Sequence, residues 1–190
     1  RTLLVNRAMS LGYPEPLACQ LADAALWLER IEARGVHSLL VYLILTKDLP
    51  FEQRKPAVGA RYGVRCICPI MAADLLVNKY SKRSGLPKGI IGLEGPAAPA
   101  LMAPALVEFA RTRKRAVRLH AYDTKMVFGE NGFRFEDGCF GHFPLVDPSG
   151  TEQVGVEFID PVAFPEPRPL NAIQLSKVRV HGFGDTPAPV

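Results

Sequence analysis

Apolar positions in the first fifty residues recur at helical spacing. Leu17, Leu21, Ala24, Leu28 and Ile31 lie three or four apart, which places them on one face of a helix running from Pro16 to Arg34. Asp23, Glu29 and Arg30 fall on the opposite side, and Gly35 is positioned to end the helix as a C-cap. Thr2 to Leu11 reads as an earlier helix, stopped by Gly12 and the Pro14-Glu15-Pro16 turn. Val36 to Thr46 reads as a third helix. Its uninterrupted run Leu39-Leu40-Val41-Tyr42-Leu43-Ile44-Leu45 suits a buried one. Residues 1–46 thus form a helical layer that has to pack on something else.

Lys47 to Ala60 is polar and carries Pro50 and Pro56, so it reads as a loop and the best internal boundary. Arg65 to Ile67 is a candidate short strand, Ile70 to Tyr80 a helix, Ser81 to Lys88 a basic loop and Gly89 to Leu93 a further strand. Gly95-Pro96-Ala97-Ala98-Pro99 interrupts the chain. A helix follows, with Leu101, Met102, Ala105, Leu106 and Phe109 on one face, and Pro104 either kinks it or marks its start. Arg111-Thr112-Arg113-Lys114-Arg115 closes this helix, where cations suit the negative end of its dipole.

The period then changes to two. Val117, Leu119 and Ala121 alternate with Arg118, His120 and Tyr122, the mark of a half-buried strand. Lys125 to Phe128 and Phe133 to Phe135 flank Asn131-Gly132, a hairpin turn pair. Gln153 to Ile159 alternates again, and Ile173 to Val180 suggests a last strand with a bulge near Ser176. Four prolines make Asp160 to Pro169 extended, irregular chain, and 182–190 reads as a disordered tail. Helices dominate the first half and strands the second. The expected class is α+β: an N-terminal helical layer packed on a mainly antiparallel sheet in the C-terminal half, with 61–181 continuous with 1–46 in one core.

Composition narrows the function classes without choosing one. The chain of 190 residues is long enough to bury a core without cross-links, and 48% hydrophobic with 22% charged residues is ordinary for a globular protein. No apolar run reaches the ~18 residues of a membrane span, so a membrane is not an expected partner. Four cysteines do not resemble a disulfide framework, and a reducing cytoplasmic setting is expected. The net charge of +4 is a mild excess, and nucleic acid is not an expected partner on charge alone.

Candidate chemistry gathers in three places. Cys66 and Cys68 precede Pro69 at the start of a helix. With Cys139 and His142, which have Cys-x-x-His spacing, they would make a Cys₃His set if the fold united them. Zinc sites use wider spacing than Cys-x-Cys, however, and buried small hydrophobes are the commoner role of free cysteine, so no metal is assigned. Arg118, His120 and Tyr122 share one strand face, with Asp123 just beyond. That row would suit proton transfer if the face is covered, and a solvated surface if it is not. Asp137-Gly138-Cys139-Phe140-Gly141-His142 is an irregular loop holding an acid, a thiol and an imidazole. The expected catalytic residues are His120, Cys139 and His142. Cys68, Arg118, Tyr122 and Asp137 are the expected ligand-binding residues, and no cofactor follows from these motifs. Gly89-x-x-Gly92-x-x-Gly95 is not a dinucleotide fingerprint. The basic loop Lys79 to Gly85 reads more readily as solvated than as a phosphate contact.

Three segments resemble the bacterial domain-of-unknown-function family 3726. These are the amphipathic helix pair over Ala8 to Gly35, Cys68-Pro69-Ile70 with the apolar helix reaching Asp74, and Ala98-Pro99-Ala100-Leu101-Met102-Ala103-Pro104. The C-terminal third departs from that family's pattern, and the family implies no reaction. The N-terminal helices also look similar to the malate/L-lactate dehydrogenase family unrelated to the Rossmann enzymes, through Gly35-Val36-His37-Ser38-Leu39-Leu40. Leu39 stands where that family carries its catalytic histidine, so the resemblance implies that its chemistry is lost. Together these features lead to a small-molecule-binding protein or enzyme with a pocket near Cys68, His120 and His142. The competing expectations are a non-catalytic subunit that docks on a partner or on itself and, last, a nucleic-acid role through Lys79–Arg83 and Arg111–Arg115.

Overall fold

The computed structural model describes residues 1–31, 33–56, 68–82, 85–94, 98–121, 124–129, 132–137 and 153–162. The expected strands at Arg65–Ile67 and Ile173–Val180, and the tail 182–190, lie outside the described residues. The class is α+β: the described residues form six α-helices and one antiparallel sheet, with most helices preceding the sheet.

Helix α1 (Thr2–Ser10) ends where Gly12 takes φ +84°, a left-handed turn that glycine enters without strain. Helix α2 (Glu15–Arg30) opens with Pro16 in its first turn, where the missing N–H costs nothing. Its buried side is built from small residues: Ala18, Ala22, Ala24 and Ala25 beside Leu21 and Leu28. That smoothness lets α3 (Gly35–Leu45) come very close. Gly35 does not cap α2, as expected from the sequence; α2 ends at Arg30, Arg34 takes φ 48°, and Gly35 is the first residue of α3. A Cβ on Gly35 would stand 2.0 Å from the Ala25 carbonyl oxygen, so glycine is required here by contact between two helices. Helix α3 is also less enclosed than its apolar run implies. Leu39, Tyr42 and Leu43 are buried, while Ile44 and Leu45 on the other face are exposed.

The polar stretch after α3 is not a free linker. It contains a single helical turn, α4 (Phe51–Arg54), whose Arg54 is buried. Helix α5 (Pro69–Ser81) starts at its proline, as the sequence predicts. Pro104 likewise marks a start: a 3₁₀ turn (Pro99–Met102) leads into α6 (Ala103–Arg113) with Pro104 in the first turn.

The sheet contains β1 (Ile90–Glu94), β2 (Ala116–Ala121), β3 (Thr124–Gly129), β4 (Gly132–Asp137) and β5 (Gln153–Ile159). Its order is β1-β5-β2-β3-β4, and every neighbouring pair is antiparallel. The predicted hairpin is present, with Gly129 opposite Gly132. In β2, Val117, Leu119 and Ala121 face the helices and are fully buried, as the alternation requires. Phe158 of β5 packs on Tyr80 of α5 and Phe109 of α6, with ring centroids 5.4 and 5.1 Å away. Trp27 of α2 meets Phe133 of β4 at 6.0 Å. Such pairs contribute roughly 0.5–1.5 kcal/mol each beyond area burial. They join the helical layer to the sheet in one apolar core that runs from Val5 to Val156.

Candidate functional site

A groove of about 480 Å³ lies on the helical side between α2, α5 and the start of α6. Each wall follows from helical spacing. On α2, Gln20, Asp23, Trp27 and Arg30 recur three or four apart and form a stripe beside the alanine-rich buried face. On α5, Ile70 and Asp74 are one turn apart. Leu101 of the 3₁₀ turn, with Pro104 and Ala105, supplies the floor. Pro104 can take this place because a first-turn residue needs no N–H partner. A cleft of this size, mostly apolar with a few polar groups, is the usual form of a small-molecule site.

Its charged groups differ in state. Arg1 grips Asp23 with two hydrogen bonds, Nε to Oδ1 at 2.6 Å and Nη2 to Oδ2 at 2.9 Å. The Arg1 hydrogen bond lowers the Asp23 carboxyl below its ordinary value, with the charge of Arg30 adding to the effect. Among the described residues, Arg30 makes no hydrogen bond or ion pair of its own, and neither does Asp74. Desolvation by the surrounding protein raises the Asp74 carboxyl above the usual aspartate value. The groove therefore presents one guanidinium and one carboxyl group to a ligand, beside the indole of Trp27.

Cys68 lies elsewhere, in a buried polar group within the helical layer. The Tyr13 and Tyr42 hydroxyls share a hydrogen bond, and the Arg54 guanidinium stacks 4.7 Å from the Tyr13 ring centre. Arg54 donates to the carbonyl oxygens of Leu11 and Leu49, at 3.0 and 2.6 Å. Its own carbonyl accepts from the Cys68 backbone N–H at 3.1 Å. Burial pushes the Cys68 thiol up, opposed by backbone N–H groups at the start of α5 and by the Tyr42 hydroxyl. Burial likewise raises both phenols, Tyr42 the more strongly. A thiol held protonated and shut off from solvent is a poor nucleophile, so this group is suited to fixing helices in place.

Arg118 and His120 are brought together on the opposite face of the sheet. Both reach Glu157 of β5. Arg118 Nη1 donates to Oε2 at 2.6 Å, and His120 Nε2 lies 3.3 Å from the same oxygen. The three side chains are only 19–24% exposed. Hydrogen bonding from Arg118, more than from His120, holds the Glu157 carboxyl below its ordinary value. Register sets this group: Arg118 pairs directly with Glu157, and His120 with Gly155. The sheet separates it from Cys68, because β2 turns Leu119 and Ala121 toward the helical core and Arg118 and His120 away. Asp137 ends β4 opposite Lys125. Tyr122, Cys139 and His142 lie outside the described residues, as does Cys66. No group of three or more metal-ligating side chains occurs among the described residues.

Trp27, Arg30 and Asp74 of the groove are not among the site residues expected from the sequence. One clue was available: the only tryptophan stands on the edge of α2's apolar face, three residues from an arginine. Glu157 was missed because its partners lie more than thirty residues away in the chain. Comparison with known proteins adds nothing to this geometry: no family model, no curated protein and no solved structure matches the chain.

Proposed function

We propose that this protein binds a small organic molecule in the groove between α2, α5 and α6. The observation that carries the proposal is the pairing of an apolar wall with two charged side chains, Arg30 and Asp74, that make no hydrogen bond or ion pair among the described residues. The ligand has a ring or other compact apolar body that rests on Trp27, Ile70, Leu101 and Pro104. A polar group on it is read by Arg30 or Asp74. Membership of the domain-of-unknown-function family 3726 belongs to the same proposal and adds no reaction to it.

Trp27 is the single tryptophan, so its fluorescence reports on this groove alone. The anilinonaphthalene sulfonate dye used to detect apolar surfaces combines a ring body with an anionic group and serves as the probe. Saturable quenching of Trp27 with energy transfer to the dye is expected, at one dye per chain. Arg30→Gln is expected to weaken binding about tenfold, the size of one lost charge-assisted hydrogen bond. Ala105→Phe, which fills the floor, is expected to abolish it. A linear, non-saturating response, or one that both variants leave unchanged, would overturn the proposal.

A further inference from the structure

The two basic segments of the chain meet at one edge of the molecule. Lys79 and Lys82 lie at the C-terminal end of α5, and the basic run from Arg111 onward closes α6. Arg113 Nη1 donates to the Ser81 carbonyl at 2.9 Å, which ties the two helix ends together. Beside them, Lys88 and Arg115 line a hollow of about 410 Å³ whose apolar members, Leu86, Pro87 and Phe158, are half-buried.

Two acids among the described residues of this edge each hold an arginine: Glu108 with Arg111 at 2.6 Å, and Asp160 with Arg115 at 2.5 Å. Lys79, Lys82, Lys88 and Lys114 are exposed and form no ion pair among the described residues. Lys114 also sits in a costly conformation. It caps α6 at φ 50°, the left-handed position where glycine is the usual residue. A lysine there is strained where glycine would not be.

We propose that this edge binds the phosphate backbone of a nucleic acid, without reading its sequence. Exposed lysines at the ends of α5 and α6, beside a hollow lined by Lys88 and by Arg115 with its partner Asp160, suit a phosphate chain that tracks this edge. A bilayer presents a flat surface, which a concave hollow does not match. Among the described residues no exposed aromatic side chain lines it, so the contact is with the backbone and not by base stacking. The contact is electrostatic, and its affinity falls with salt through counterion release.

The test is fluorescence anisotropy with a labelled DNA duplex of about 20 base pairs, between about 20 and 200 mM salt. Four lysine–phosphate contacts predict a slope of log K against log salt of about −3 to −4. Lys114→Gly is the informative variant. It is expected to weaken binding and reduce the slope by about one. It should also raise the melting temperature, so lost binding cannot be blamed on unfolding. Lys82→Gln with Lys88→Gln should reduce the slope by about two more. Lys47→Gln, on the α3 side of the molecule, should bind like the wild type. Absence of binding at the lowest salt overturns the proposal. So does equal loss from Lys47→Gln and Lys114→Gly, or sedimentation of the protein with anionic phospholipid vesicles when the duplex does not bind.

Discussion

The helical layer and the outer face of the sheet each hold a cluster of polar side chains, and the two clusters do opposite things with them. Around Tyr13, Tyr42, Arg54 and Cys68 the groups are sealed from water. Their protons are held in place by burial, and the guanidinium is spent on backbone carbonyls. Around Arg118, His120 and Glu157 the groups keep about a fifth of their surface exposed, and the carboxylate is held ionised by its arginine. The residue types overlap. Burial decides which cluster is scaffold and which can still exchange protons with solvent.

The largest effect that separates the two regions is expected at Arg54. Arg54→Met keeps the apolar stem and removes both donors to the Leu11 and Leu49 carbonyls. Each such charge-assisted bond contributes roughly 1.5–3 kcal/mol, so a loss of about 3–6 kcal/mol is expected in urea unfolding. Arg118→Met on the sheet face should cost about 1 kcal/mol or less, because that pair is partly solvated. Equal costs for the two variants would erase the distinction between a buried scaffold and a solvated site.

Next in size is a pair of glycine substitutions. In Gly35→Ala the new methyl group would meet the Ala25 carbonyl oxygen at 2.0 Å and the Ala25 carbonyl carbon at 2.8 Å. Backbone cannot rotate away as a side chain can, so α3 must move off α2 at a cost of roughly 2–3 kcal/mol. In Gly155→Ala the nearest atom is Cγ2 of Ile90 at 2.5 Å, on a side chain that is 60% exposed. Ile90 can turn aside at the cost of one rotamer, about 0.5–1.5 kcal/mol. Thermal melts of the two variants side by side measure the difference in how tightly the regions are packed.

How much of this was legible beforehand depended on whether a feature is local. Pro69 announces a helix start through its own missing N–H, and Pro104 announces a kink or a start, of which the structure shows the start. The alternation of Val117, Leu119 and Ala121 announces a strand with one buried face, and Asn131-Gly132 announces a hairpin. Each is fixed by neighbours in the chain. Gly35 was misjudged because a glycine after a helix is equally a cap or a point of close approach. Only the position of Ala25 in space separates the two. Arg54 sits in a stretch so polar that it reads as a solvated loop. Its burial depends on carbonyls at Leu11, supplied by another helix. The groove and the basic edge have the same origin. Their residues come from α2, α5 and α6, or from α5, α6 and the sheet, and no spacing within one segment reveals that these converge. Arg118 and His120 were found by alternation. Glu157, which joins them, was not, because strand register between β2 and β5 is set by packing across the sheet.

The smallest expected effect tests that join directly. Glu157 is held below the ordinary glutamate value in the folded protein, first by its hydrogen bond from Arg118. A carboxyl group lowered in this way adds stability above its unfolded value near 4.5, and that stability is lost as pH falls through the folded value. In urea unfolding between pH 6 and pH 3 the wild type should therefore lose about 1 kcal/mol more than Glu157→Gln, with the difference confined to the acid end. Above pH 6 the two curves should run parallel, offset by the cost of the lost ion pair. The Tyr13–Tyr42–Arg54–Cys68 cluster contains no carboxyl group, so Tyr42→Phe should shift stability equally across this pH range. If Glu157→Gln leaves the acid slope unchanged, the Arg118–Glu157 pair does not set it, and the role assigned to the sheet face is wrong.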